Sequence, residues 1–143
     1  MKKIWSLIFI GIIKCLDICD NIPTTEFPMK ITTPGFPSPY KNLLYCTQDI
    51  TVSSPVYVIS TFQNINCEFD ELELIKSNSG SIDLCKSHKN PIMMEHNFTI
   101  SFQSDEFGSK ATRRLGFELL IGTRYENEIC KDLCHCWGTD DIH

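Results

Sequence analysis

The sequence predicts an all-β chain, folded as an antiparallel two-sheet β-sandwich. Three observations carry that expectation. Apolar and polar residues alternate with a period of two through the middle of the chain. Segments rich in Pro, Gly, Ser and Asn separate these runs. No long run shows helical spacing. The 143 residues give room for one domain and a little more. With 42% apolar and 22% charged residues, the chain has enough for a core and does not read as a disordered tail.

The elements follow in chain order. Lys2 and Lys3 form a basic head, and Ile4 to Ile13 is a nearly continuous apolar run closed by Lys14. This is the pattern of a secretory signal peptide. The run is too short to cross a bilayer, which needs about 20 residues. Cleavage after Cys15 would set Ile13 and Cys15 at the two inspected positions, so residues 1–15 are assigned to the leader. Thr33 to Pro39 carries three prolines and a glycine and cannot be a helix or a central strand. Val56, Val58 and Ser60 face away from Tyr57, Ile59 and Thr61. Leu72 and Leu74 share a face around Glu73. Ser77 to Ser81 is a turn. Phe98, Ile100 and Phe102 alternate with Asn97, Thr99 and Ser101. Phe107 to Arg114 is a loop. Leu115, Phe117, Leu119 and Ile121 then line one face of a last strand ending near Thr123. From residue 124 the chain is polar and cysteine-rich, and a separate tail, 124–143, is placed there.

Charge and cysteine content narrow the function. The net charge is −5, with 18 acidic and 13 basic residues. That is the wrong sign for a nucleic-acid binder. Removing Lys2, Lys3 and Lys14 from the 13 basic residues leaves 10 against 18 acidic, a net of −8. Eight cysteines point to an oxidising compartment and a secreted, extracellular protein. Cleavage after Cys15 leaves seven of them, an odd number, which implies a free thiol or an intermolecular bridge. His88, His96, His135 and His143 show no His-Glu-x-x-His spacing, and no serine lies in Gly-x-Ser-x-Gly. The reading is therefore not an enzyme, with no organic cofactor, no nucleic acid and no membrane insertion.

Five landmarks in order carry a family resemblance. Cys19 and Cys46 bracket a Pro-rich turn ending at Ser38-Pro39-Tyr40. Cys67 opens the stretch Cys67-Glu68-Phe69-Asp70-Glu71-Leu72-Glu73-Leu74-Ile75, and Cys85 follows. Phe102-Gln103-Ser104-Asp105 comes next, then Gly116-Phe117. Together these resemble a CUB domain over residues 19–122. The resemblance implies a jelly-roll-like sandwich with Cys19–Cys46 and Cys67–Cys85 as its bridges. Such a bridge stabilises a domain by about 3 kcal/mol. Three departures stand out. Gln48 replaces a common Trp, Asp20-Asn21 replaces a common Gly-Gly, and the segment before Cys67 is short.

The resemblance also implies a calcium site at one end of the sandwich. Tyr40, Asp70 and Asp105 match the family's ligands, and they are the candidate metal residues here. The Glu expected before Cys67 is missing, since that segment reads Gln63-Asn64-Ile65-Asn66. Calcium takes 6–8 oxygens, so one carboxylate fewer implies a weaker site. An ordered acidic cluster of this kind would receive a basic side chain of an extracellular protein partner.

Other features have plainer readings. Asn97-Phe98-Thr99 is a glycosylation signal. The basic clusters Lys110 to Arg114 and Lys86 to Lys89 are solvated loops or glycan contacts. Cys130, Cys134 and Cys136 offer tail bridges, one of them open to a disulfide-linked dimer; zinc ligation by them suits neither the compartment nor the spacing. The expected function is thus a secreted adaptor recognising a protein or glycan with calcium as a candidate ion. Two rivals stay open: a non-catalytic piece of a multidomain astacin-like or complement-type protease, and a calcium-independent lectin like the spermadhesins.

Overall fold

The computed structural model describes residues 14–22, 26–78, 80–86, 91–105 and 114–123. Residues 1–13, 23–25, 79, 87–90, 106–113 and 124–143 lie outside them, and with them most of the expected leader, 1–15, and all of the expected tail, 124–143. Nine strands are described: β1 Lys14–Asp17, β2 Met29–Thr32, β3 Tyr45–Ile50, β4 Val56–Asn64, β5 Glu71–Lys76, β6 Ser81–Asp83, β7 Ile92–Met94, β8 Phe98–Gln103 and β9 Gly116–Gly122. They form a five-stranded sheet, ordered β1-β2-β9-β4-β7, and a four-stranded sheet, ordered β3-β8-β5-β6. Pairing is antiparallel except between β1 and β2, which run parallel.

The period-two pattern holds in three of the four strands where it was read. Phe98, Ile100 and Phe102 of β8 are buried, as are Leu72 and Leu74 of β5 and Val56 and Val58 of β4. Together with Met29, Ile31, Phe117, Leu119 and Ile121 they form one continuous core between the two sheets. Tyr40, Phe102 and Phe117 interlock edge to face, with ring centroids 5.1 and 5.3 Å apart, the favoured aromatic geometry. Strand β9 departs from the expectation, because its outward residues are buried along with its inward ones.

Both expected bridges form. Cys19–Cys46 and Cys67–Cys85 have Cα separations of 4.8 and 5.6 Å, within ordinary disulfide reach. Two of the three sequence departures have physical explanations. Asp20 and Asp17 close a reciprocal cap on a 3-10 turn, Ile18–Asp20. Asn21 follows at φ 50°, the left-handed conformation that Gly takes most readily and Asn tolerates. Gln48 is fully buried and bonds both backbone groups of Ile22, accepting from its N–H at 3.2 Å and donating to its carbonyl. It thereby pins the chain after Cys19. Gly116 is required as glycine. Its φ is 114°, and a Cβ there would meet Thr33 Oγ1 at 1.8 Å, the atom that accepts the Phe117 N–H at 3.2 Å.

Candidate functional site

The site residues come from chain segments that meet at one end of the sandwich. β4 and β8 end there, and β3, β5 and β9 begin there. Tyr40 arrives from the Pro-rich turn, Asp70 from the residue before β5, and Asp105 from just after β8. The structure thus brings together all three candidate metal residues.

Their roles differ. The Tyr40 ring is core, and its hydroxyl reaches out of the core to donate to Asp70 Oδ2. The same hydroxyl accepts the Asn66 N–H at 3.1 Å. Asp70 Oδ1 accepts the Asp105 N–H at 2.9 Å. Asp70 is 2% exposed, and its own N–H is held by the Asn66 carbonyl at 2.7 Å. Burial, with the bond to Asp70 next, pushes the Tyr40 pKa well above its ordinary value. Tyr40 is therefore a proton donor that fixes Asp70. Arg114 lies close enough for its charge to favour the ionised phenol, and its Nε is buried without a hydrogen-bond partner.

The shortened segment before Cys67 does not hand free amide oxygens to this cluster. Asn64 Oδ1 accepts the Leu115 N–H at 2.9 Å, and Asn66 Oδ1 accepts the Glu68 N–H at 3.3 Å. Among the described residues no group of three or more His, Cys, Asp or Glu side chains is placed to share a metal. The oxygen chemistry nevertheless suits a hard cation. Each Asp70 oxygen takes one described hydrogen bond, and a carboxylate accepts about four in all.

Sequence reasoning missed the rim. Leu43, Tyr45 and Phe69 are exposed beside the cluster. Leu43 is 75% exposed and sits at φ 58°, rare for so bulky a residue. Its N–H is held by the Asp105 carbonyl at 3.3 Å, and Ser104 bonds Lys41 and Leu44 from the same loop. The run Leu43-Leu44-Tyr45 was the available signal, an apolar stretch placed just before a strand.

Asn97 lies at the opposite end, before β8. It is exposed, while its Oδ1 accepts the Val52 N–H at 2.9 Å. Lys86 is exposed and pairs loosely with Asp83 at 4.0 Å, a contact worth little. Residues 87–90, Lys110 to Arg113, Cys130, Cys134 and Cys136 lie outside the described residues.

No protein-family model matches this sequence, and no curated protein matches it. Solved structures do. The CUB1-EGF-CUB2 fragment of human MASP-1/3 matches with a TM-score of 0.61 at 23% identity, covering 76% of this chain and 42% of that one. The MASP-1 CUB2 domain bound to Ca2+ matches with a TM-score of 0.57 at 22% identity, covering 71% of this chain and 96% of that one. The corresponding rat MASP-1 fragment matches with a TM-score of 0.58 at 19% identity and 71% coverage of this chain. The chain has a CUB-like fold. It spans only 41% of the rat fragment, so its CUB-like sandwich corresponds to one module of that longer chain. Among the described residues, no helix is long and apolar enough to cross a membrane.

Proposed function

We propose that this chain is a secreted, non-catalytic binding module whose acidic end receives a basic side chain of an extracellular protein partner. One observation carries the reading. Asp70 is buried, and the groups hydrogen-bonded to its oxygens, the Tyr40 hydroxyl and the Asp105 N–H, are neutral. A buried carboxylate so held favours a further cation. The exposed Leu43, Tyr45 and Phe69 supply apolar contact area around it. The Ca2+-bound MASP-1 CUB2 domain supports calcium as the ion. Asp70 and Asp105 would hold it, with Tyr40 positioning Asp70 rather than ligating. A bound calcium would neutralise the acid pair and order the loops that carry it. With two described carboxylates the affinity belongs in the millimolar class of extracellular modules.

Arg114 supports a second reading. Its charge already lies near the cluster, so binding, of a glycan or a protein, would not need calcium. Asn97 is proposed as a glycan carrier. Its exposure and its place at the far end from Asp70 leave the acidic end uncovered.

Thermal unfolding across a calcium titration, with a chelator control, separates the readings. A ligand bound only by the native state adds about 2.7 kcal/mol at 100 times its dissociation constant. A saturable rise in Tm at millimolar calcium is expected. No rise up to about 10 mM, above the weak extracellular range, would turn the assignment to the Arg114 reading.

A further inference from the structure

The end of the sandwich away from Asp70 carries an open groove of about 380 Å³, lined by Val52, Ser77, Asn78, Glu95, His96 and Asn97. Five of these six residues are polar, bringing a hydroxyl, two amides, a carboxylate and an imidazole. Val52 is the one aliphatic residue. Such a lining suits neither an apolar anchor nor an ion of one sign. It suits a sugar, whose hydroxyls both donate and accept, and whose less polar parts can rest on Val52 or the His96 ring.

Asn97 is held in this groove at two points. Its backbone carbonyl accepts the Ser77 N–H at 3.3 Å, and its Oδ1 accepts the Val52 N–H at 2.9 Å. A backbone N–H can only donate, so the side-chain amide must turn its oxygen to Val52. Glycosylation at Asn97-Phe98-Thr99 uses the other atom of that amide, Nδ2. The transfer forms the Nδ2–C1 bond and breaks the C1–O bond of a glycosyl diphosphate donor; the electron pair leaves with the phosphate oxygen, and Nδ2 gives up one proton. Oδ1 stays an acceptor, so the modified residue keeps its bond to Val52. We infer that the first sugar of an Asn97 glycan lies in this groove and closes that end of the sandwich. The inference rests on the reading of Asn97 as a glycan carrier.

The anchor is rigid, which makes the placement cheap. Phe98 is 3% exposed in the core, and Thr99 Oγ1 donates to Asp49 Oδ1 at 2.7 Å across β3 and β8. With both neighbours fixed in the strand and Asn97 bonded at backbone and side chain, little freedom is left for the first sugar to lose. Preorganisation of this kind lowers the ordering cost that opposes a contact. A sugar so placed would also shield the Val52–Asn97 bond from water, and slower exchange of the Val52 N–H is the local mark of that shielding.

Three forms of the full chain test this. One is secreted from a glycosylating host, one is the same material trimmed to a single sugar by an endoglycosidase, and one carries a bare Asn97 from a bacterial periplasm, where disulfides still form. Peptide mass reads occupancy first. A bare Asn97 in the secreted chain would overturn the carrier reading, and the inference with it. With Asn97 occupied, the intact and trimmed forms should share one Tm, and the bare form should melt lower and exchange its Val52 N–H faster. The trimmed form should also show nuclear Overhauser contacts from the N-acetyl methyl of its sugar to Val52 or His96. With Asn97 occupied, a bare form that melts and exchanges like the trimmed one, or a trimmed form without those contacts, would overturn the placement and leave Asn97 the carrier of a solvated glycan.

Discussion

Two carboxylates are buried among the described residues, and they are held in opposite ways. Glu118 has a cation built in. Lys30 Nζ stands 3.3 Å from its Oε1, and Thr61 donates to the same oxygen at 2.8 Å. Asp70 has neutral hydrogen-bond donors, one hydroxyl and one backbone N–H. The first arrangement is internally balanced and offers nothing to a partner. The second keeps a charge at a loop-built end of the sandwich, next to exposed apolar side chains. That difference separates a structural acid from a candidate binding acid more sharply than burial does.

The largest expected effect tests the balanced pair. Lys30→Met leaves Glu118 as an uncompensated buried charge and should cost about 3–5 kcal/mol. The double variant Lys30→Met with Glu118→Leu should recover most of that loss, because well-packed apolar replacements of a buried pair are often neutral. Urea unfolding of the parent and the variants reads both. A single-variant loss of only about 1 kcal/mol, the range of a surface pair, would place the two acids in one class.

The sequence made one of these acids legible and hid the other. Asp70 stood in a motif order, between Cys67 and the alternating Leu72 and Leu74, so its place at a strand start could be read. Glu118 could not be read. Alternation along β9 marks it as outward, and outward normally means solvent. Its burial is a tertiary outcome that period-two reasoning does not supply. The same limit hid β1, β2 and β7. Each is three or four residues long, too short for alternation to register, and tertiary pairing decides it. The long strands β8 and β9 were legible because several alternations accumulate within one run. The Tyr40–Asp70 bond needed both ends of a long loop closure, and only the family pattern hinted at it.

A middling effect is expected at Tyr40. Tyr40→Phe removes the donor to Asp70 and the acceptor for the Asn66 N–H, leaving buried polar groups unsatisfied at a cost of about 1–3 kcal/mol. The pH dependence has a definite sign. The phenol pKa is raised on folding, so the native state holds its proton more tightly than the unfolded chain. That contribution is complete below about pH 10, the ordinary phenol value, and is lost as pH rises above it. The parent should therefore lose stability in alkali more steeply than Tyr40→Phe. Equal alkaline slopes would mean that Tyr40 does not hold Asp70 in solution.

The sharpest effect on function is expected at Asp105. Its described bond to Asp70 runs through the backbone N–H, which Asp105→Ala keeps. In chelator the variant keeps that backbone bond and should stay folded. In millimolar calcium the parent's Tm rise should disappear. Asp70→Asn should lose the same rise but also lower Tm in chelator, because a neutral amide presents one acceptor oxygen where the carboxylate presents two. The two variants thus compare a carboxylate whose described bond to the cluster runs through its backbone with one whose own oxygens hold the cluster together. A calcium response surviving in Asp105→Ala but not in Asp70→Asn would move the cation inward, toward Asp70 and Tyr40. One surviving in both would place the calcium away from this acidic end.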